Sequence, residues 1–182
     1  MALLRGINVG GKNKLPMKDL AAMFGDAGCW DVQTYIQSGN VVFRAKQALA
    51  RRIPSLIAQS IEEGFGFSVP VVLRPGDELL TVAGSNPFLR GEADTKKLHV
   101  AFLDKEPSNA KIASLDPERS SPDQFETRGR EIYLYCPNGL ARTKLTNNYF
   151  DSRLATTSTM RNWKTVLKLC DLVAESERNG SR

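Results

Sequence analysis

Gly6, Gly10, Gly11 and Lys12 stand in the segment GINVGGKN, residues 6–13, close to the GxxxxGK[ST] spacing with which many NTPases hold the phosphates of ATP or GTP. In that chemistry glycines let backbone N–H groups wrap the phosphates, the lysine meets the terminal phosphates, and a hydroxyl binds magnesium. Asn13 occupies the hydroxyl position. Pro16 disfavours the α region at Leu15, so the next helix is expected to open at Pro16 and not at Lys12. A P-loop also opens a parallel sheet, whereas a hairpin is expected here. LHVAFLD, residues 98–104, imitates the apolar strand and aspartate that accompany a P-loop, a pattern many strands share. What survives is an anion site in which Arg5, Asn8, Gly10, Gly11, Lys12 and Asn13 are joined by Gln37, Ser38 and Asn40 of YIQSGN, with Lys14 alongside. The plain alternative is that the glycines make a tight exit from the sheet and the polar turn is hairpin punctuation.

A second cationic set lies near the other end. Arg161, Lys164 and Lys168 fall at i, i+3 and i+7 of an expected final helix, one stripe with Thr165 beside it and Asn162 at the helix start. Arg142, Lys144 and Arg153 precede it, and a helix N-terminus near Ser and Thr adds N–H donors for phosphate. Such a stripe is also what an ordinary solvated face looks like. RNA-recognition domains stack bases on aromatics of central strands, and only Tyr35 and Phe43 stand in the corresponding runs. The sequence contains no GxSxG or HExxH, and nothing singles out Asp104 or Glu106 as an acid or base, so no catalytic residue is assigned and enzyme activity is left open.

The chain of 182 residues has a formal net charge of +5, a bias that fits an anionic partner. Residues 1–18 carry Arg5, Lys12, Lys14 and Lys18 with no acid, and residues 139–168 carry six cations against Asp151 alone. The segment between them, 101–131, is net acidic. Cys29, Cys136 and Cys170 are widely spaced, odd in number and include no CxxC pair, which suggests buried thiols and neither a disulfide framework nor a zinc knuckle. The single histidine, His99, lies in an apolar run and reads as a hydrogen-bonded core residue; no metal and no cofactor is expected. No run approaches the roughly 20 apolar residues of a membrane helix, and no signal-peptide core follows the N-terminus, so a soluble, cytoplasmic protein is expected without a membrane partner.

The elements that must position these residues can be read from periodicity. MALLRGI reads as a strand, and LPMKDLAAMFGDAG as a helix with Met17, Leu20, Ala21, Phe24 and Ala27 on one face, stopped by Gly28. VQTYI and NVVFR form a hairpin, Ile53, Leu56, Ile57 and Ile61 mark a helix with Pro54 in its first turn, and SVPVVL closes as a strand. That βαββαβ order predicts a ferredoxin-like plait over residues 1–74. Residues 75–97 read as a linker with a short helix. Residues 98–182 read as a second, related βαββα subdomain ending in a C-terminal helix, whose core face is Trp163, Val166, Leu167, Cys170, Val173 and Ala174 and whose N-cap comes from ATTSTM. The fold class is α+β.

Four blocks in order, LLRGINVGGKNKLPMKDL, TYIQSGNVVF, NPFL with LHVAFL, and TMRNWKTVLKL, resemble a bacterial family catalogued as domain of unknown function 1697. The resemblance spans almost the whole chain and implies an α+β protein of two subdomains, the first ferredoxin-like. It implies no activity, substrate or catalytic residue. Lys144, Arg161, Asn162 and Trp163 keep the family pattern, and the region of Pro54 departs from it. Three readings stay open: a binding module for phosphate-bearing ligands, nucleic acid foremost, on a basic surface; an enzyme acting on a nucleotide or other phosphorylated small molecule held by the first loop; and a dimerising or adaptor protein. The oligomeric state is not readable.

Overall fold

Two runs in which every residue is buried, Ala-Leu-Leu and Leu-His-Val-Ala-Phe-Leu, become the inner strands of two sheets, because a strand covered on both faces cannot alternate polar and apolar residues. The computed structural model describes residues 1–91 and 93–180. The chain divides into two compact units, Met1–Gly76 with Asp171–Arg182, and Asp77–Cys170.

In the first unit, β1 (Ala2–Leu4) lies between β3 (Asn40–Arg44) and β4 (Val71–Leu73), with β2 (Trp30–Tyr35) outside β3. All pairs are antiparallel, with Leu3 opposite Asn40 and Val72. Two helices, α1 (Met17–Asp26) and α3 (Ile53–Phe65), bury Leu20, Phe24, Ile53, Ile57 and Ile61 against Ala2, Leu4, Val41 and Val71. Each such large side chain contributes about 1.5–3 kcal/mol when fully buried. Pro54 falls in the first turn of α3, where its missing N–H breaks no helical bond, and Gly66 ends the helix with φ +74°. A short helix, α2 (Gln47–Ala50), precedes α3.

The second unit repeats the plan. Its sheet has the order β6 (Gln124–Arg128), β7 (Glu131–Tyr135), β5 (Leu98–Leu103), β8 (Ser158–Asn162), again antiparallel. Ala101, Leu103, Ile132 and Leu134 face Tyr149, Phe150 and Leu154 of α6 (Asn147–Leu154), with α5 (Asn109–Ile112) beside it. Tyr133 alternates with these residues and donates to the carbonyl of Val82 in α4 (Gly76–Gly84), so α4 covers the other face. The final helix α7 (Trp163–Gly180) is tied to α4 by Cys170 Sγ at 3.6 Å from the Leu79 carbonyl.

Two expectations are corrected here. The second unit does not lack its last strand: Ser158–Asn162 pairs with β5 along its whole length, so ATTSTM enters a strand and does not cap the helix. On α7, Leu167 is 44% exposed and Leu169 is buried in its place, because the buried arc runs through Trp163, Val166, Leu169, Cys170 and Val173 and leaves Leu167 at its edge. Residues 140–154 form a 3-10 turn at Leu140–Arg142 and then α6, capped by Thr146 Oγ1 accepting from Tyr149 N at 3.2 Å.

His99 is buried on β5 with Nδ1 3.2 Å from the Lys97 carbonyl, and burial lowers its pKa. The unfolded chain therefore binds this proton more tightly, so the stability associated with His99 is present above the unfolded value of about 6.5 and is lost as pH falls below it. NMR titration of the single histidine should give a midpoint below 6.5, and His99→Gln should flatten the acid side of the stability curve; a midpoint at or above 6.5 would contradict the burial argument.

Candidate anion-binding loop

Gly10 and Gly11 have φ of +58° and +74°, and Lys12 N donates to the Val9 carbonyl at 3.0 Å. Two central residues with positive φ define a type I′ turn, so Val9–Lys12 is the tip of a miniature hairpin. Its stem is closed by Asn8 N donating to the Asn13 carbonyl at 3.1 Å and by Asn13 Nδ2 donating to the Gly6 carbonyl at 2.9 Å. Asn8 and Asn13 sit at φ +55° and +49°, a region asparagine tolerates better than most residues.

Asn8 is the lock. Its Nδ2 donates to the Leu15 carbonyl at 2.8 Å and to the Gln37 carbonyl at 2.9 Å, and its Oδ1 accepts from Leu15 N at 2.8 Å. Both amide hydrogens are used, one of them to hold the loop against the turn between β2 and β3. That turn has its own bracing: Asn40 Nδ2 donates to the Tyr35 carbonyl and to Ser38 Oγ, and Leu4 N donates to the Gly39 carbonyl. Gly39 has φ +73°, and a Cβ there would lie 2.7 Å from Leu4 Cβ and 2.9 Å from Ile7 Cδ1, so no side chain fits.

The GINVGGKN loop and the QSGN turn thus form one assembly at one end of the first sheet. It is not a P-loop: Lys12 lies in a hairpin, α1 opens at Met17, and every strand pair is antiparallel. What the assembly offers outward is charge. Lys12, Lys14 and Lys18 are exposed, and among the described residues none is in an ion pair. Val9 and Ile36 are exposed beside them, at 64% and 50%. The amides of Asn8 and Asn13 bond within the loop and to the turn, and Asn40 and Ser38 bond within the turn, roles that spacing alone does not reveal.

The chain matches, over residues 1–133, the family described as Protein of unknown function (DUF1697). It belongs to that family. The DUF1697 chain also resembles the structure of the conserved bacterial protein SP0830 from Streptococcus pneumoniae, with a TM-score of 0.68 and 22% identity, covering 94% of this chain and 96% of that one. At that identity the likeness is one of fold. No curated protein matches the chain.

In this DUF1697 chain the second cationic set is not one surface. Arg161 is in β8 and buried, with Nη1 donating to Thr159 Oγ1 and to the Met160 carbonyl, both at 2.8 Å, and burial pulls its pKa down to about 10. It therefore leaves the expected helical stripe, where Lys164 and Lys168 remain and Thr165 is buried. Asn162 Oδ1 accepts from Thr165 N at 2.8 Å and is the N-cap of α7, which assigns it a structural contact. Lys144 precedes α6, on the sheet face opposite to α4 and α7; its backbone is pinned by Ser120 Oγ and Arg119 Nε, and its side chain is exposed. Phe43 packs at a tilt against Phe24 of the core, ring centroids 5.0 Å apart, and is no base platform. Among the described residues there is no cluster of three metal-ligating side chains and no helix long and apolar enough to cross a membrane. All three cysteines are free and buried, and burial, with Asp123 nearby, pushes the Cys136 thiol up to about 11.

Asn8→Ala would remove three hydrogen bonds, strand the Leu15 N–H and place alanine at positive φ, so urea denaturation should show a loss of about 2 kcal/mol. Lys12→Ala, on the exposed tip, should stay within about 0.5 kcal/mol. Equal stability of the two variants would contradict the lock.

Proposed function

We propose that this protein binds phosphate-bearing ligands, nucleic acid foremost, through the basic end of its first unit. The observation that carries the reading is the joined loop and turn, a rigid mount on which Lys12 and Lys14 are exposed and in no ion pair among the described residues. Cations on a fixed hairpin lose little freedom on meeting a phosphate backbone, and contacts of this kind position a duplex or strand without reading its sequence. Arg5, half-buried beside Gly6, adds a further cation to the same end. Exposed Val9 and Ile36 suit contact with sugar or base faces. The competing reading, a nucleotide enzyme that holds its substrate in the glycine loop, has less in its favour: Asn8 N, Lys12 N, Leu15 N and the Asn8 amide already have partners.

We also read both units as ferredoxin-like plaits, at residues 1–74 and from residue 98 onward. The support is the order 4-1-3-2 within each sheet, with two helices on one face. A cytoplasmic location agrees with free, buried cysteines.

The test is a salt titration against duplex and single-stranded nucleic acid. Each phosphate neutralised adds about −0.9 to the slope of log K against log salt on duplex DNA and about −0.7 on single strands. Lys12→Glu with Lys14→Glu should weaken binding and flatten the slope by one to two phosphates. Charge reversal at Arg161 would unfold rather than inform, so Lys164→Glu with Lys168→Glu is the comparison for the last helix. No affinity at low ionic strength, or affinity indifferent to Lys12 and Lys14, overturns the proposal.

A further inference from the structure

At the end of the first sheet away from the loop lies an open cleft of about 690 Å³, on the face that α1 and α3 leave uncovered. Val42 and Arg44 alternate on β3 with core-facing Val41 and Phe43 and line its floor, and Val173 and Ser176 of α7 form one wall. The volume lies within the range of small-molecule sites, and its lining is mostly apolar with a few charged groups.

Three arginines, Arg44, Arg51 and Arg74, and one carboxylate, Glu177, are among the lining residues. The arginines are not equivalent. Arg74 is buried with Nη1 on the Leu73 carbonyl, a structural placement. Arg44 is braced, 3.9 Å from Asp31 and 3.4 Å from the Ser176 carbonyl. Arg51 follows α2, is exposed, and its side chain has no partner among the described residues.

Trp30 completes the lining. It sits directly opposite Arg44 across the β2–β3 ladder, is 46% exposed, and its indole N–H has no partner among the described residues. The ladder shifts register between Trp30 and Gln33, and Asp31 at the shift has φ +51°. Bulges of this kind re-aim a side chain at a local cost. An exposed indole beside guanidinium groups over an apolar floor offers a stacking surface and a bidentate anion clamp together.

We infer that this cleft binds a small planar aromatic anion of nucleoside monophosphate size, its ring against Trp30 and its anionic group at Arg51 and Arg44. The inference uses none of the loop residues, so either reading can fail alone. It concerns binding and assigns no reaction.

The test follows the two tryptophan indole signals by NMR, assigned with Trp30→Phe, while AMP, GMP, CMP and UMP are titrated into the full chain, with adenosine and inorganic phosphate as controls. The expected result is a saturable shift of the Trp30 signal with at least one monophosphate, at least tenfold tighter than with either control. Arg51→Glu should weaken it at least tenfold, and Arg51→Lys by less. Absence of a saturable Trp30 shift with all four monophosphates, or equal affinity of wild type and Arg51→Glu, overturns the inference. Both variants change an exposed side chain, and unaltered backbone spectra would verify the fold.

Discussion

One side-chain amide holds the loop end of the first unit together. Asn8 spends both of its hydrogens and its oxygen on Leu15 and Gln37, and through them joins a loop with several residues at positive φ to the turn of the neighbouring hairpin. A segment so rich in glycine has much conformational entropy to lose, and without such a lock it would sample many shapes. With the lock, the hairpin tip is fixed and the lysines on it are held outward. The glycines are there for φ and for clearance, as Gly39 shows, and not to wrap a nucleotide.

Charge in this protein divides by burial. Lys12, Lys14, Lys164 and Lys144 stand in water, where a cation costs little and remains available to a partner. Arg161 is held inside the second unit, where it donates to a hydroxyl and a carbonyl, and desolvation lowers its pKa. A sequence count treats these groups alike. Only the fold distinguishes an exposed cation from one that is buried and bonded within its own strand.

Much of the architecture was legible. The apolar runs mark the inner strands, and the 3.6-residue period of Ile53, Ile57 and Ile61 marks α3. The missed strand, β8, reads STMRN: its buried positions are filled by Ser158, Thr159 and Arg161, satisfied by hydrogen bonds, so hydrophobic periodicity had nothing to report. Reading Arg161 as helical displaces the start of α7, whereas Leu167 and Leu169 flank the same apolar arc and only packing decides which of them is buried. The site was half legible. Residue type and order identified the loop and the turn as partners, but whether an asparagine faces a ligand or its own backbone depends on contacts between residues 8 and 37. The cleft at Trp30 and Arg51 was not legible, because its lining comes from five separate stretches of chain.

The central claim is that the 6–15 loop is a rigid mount and not a mobile tether, and amide hydrogen exchange of Leu15 tests it most directly. The Leu15 N–H should exchange as slowly as a sheet amide in the native chain and at nearly unstructured rates in Asn8→Ala, with the β5–β7 amides unchanged. Rapid exchange of Leu15 in the native chain would contradict the account.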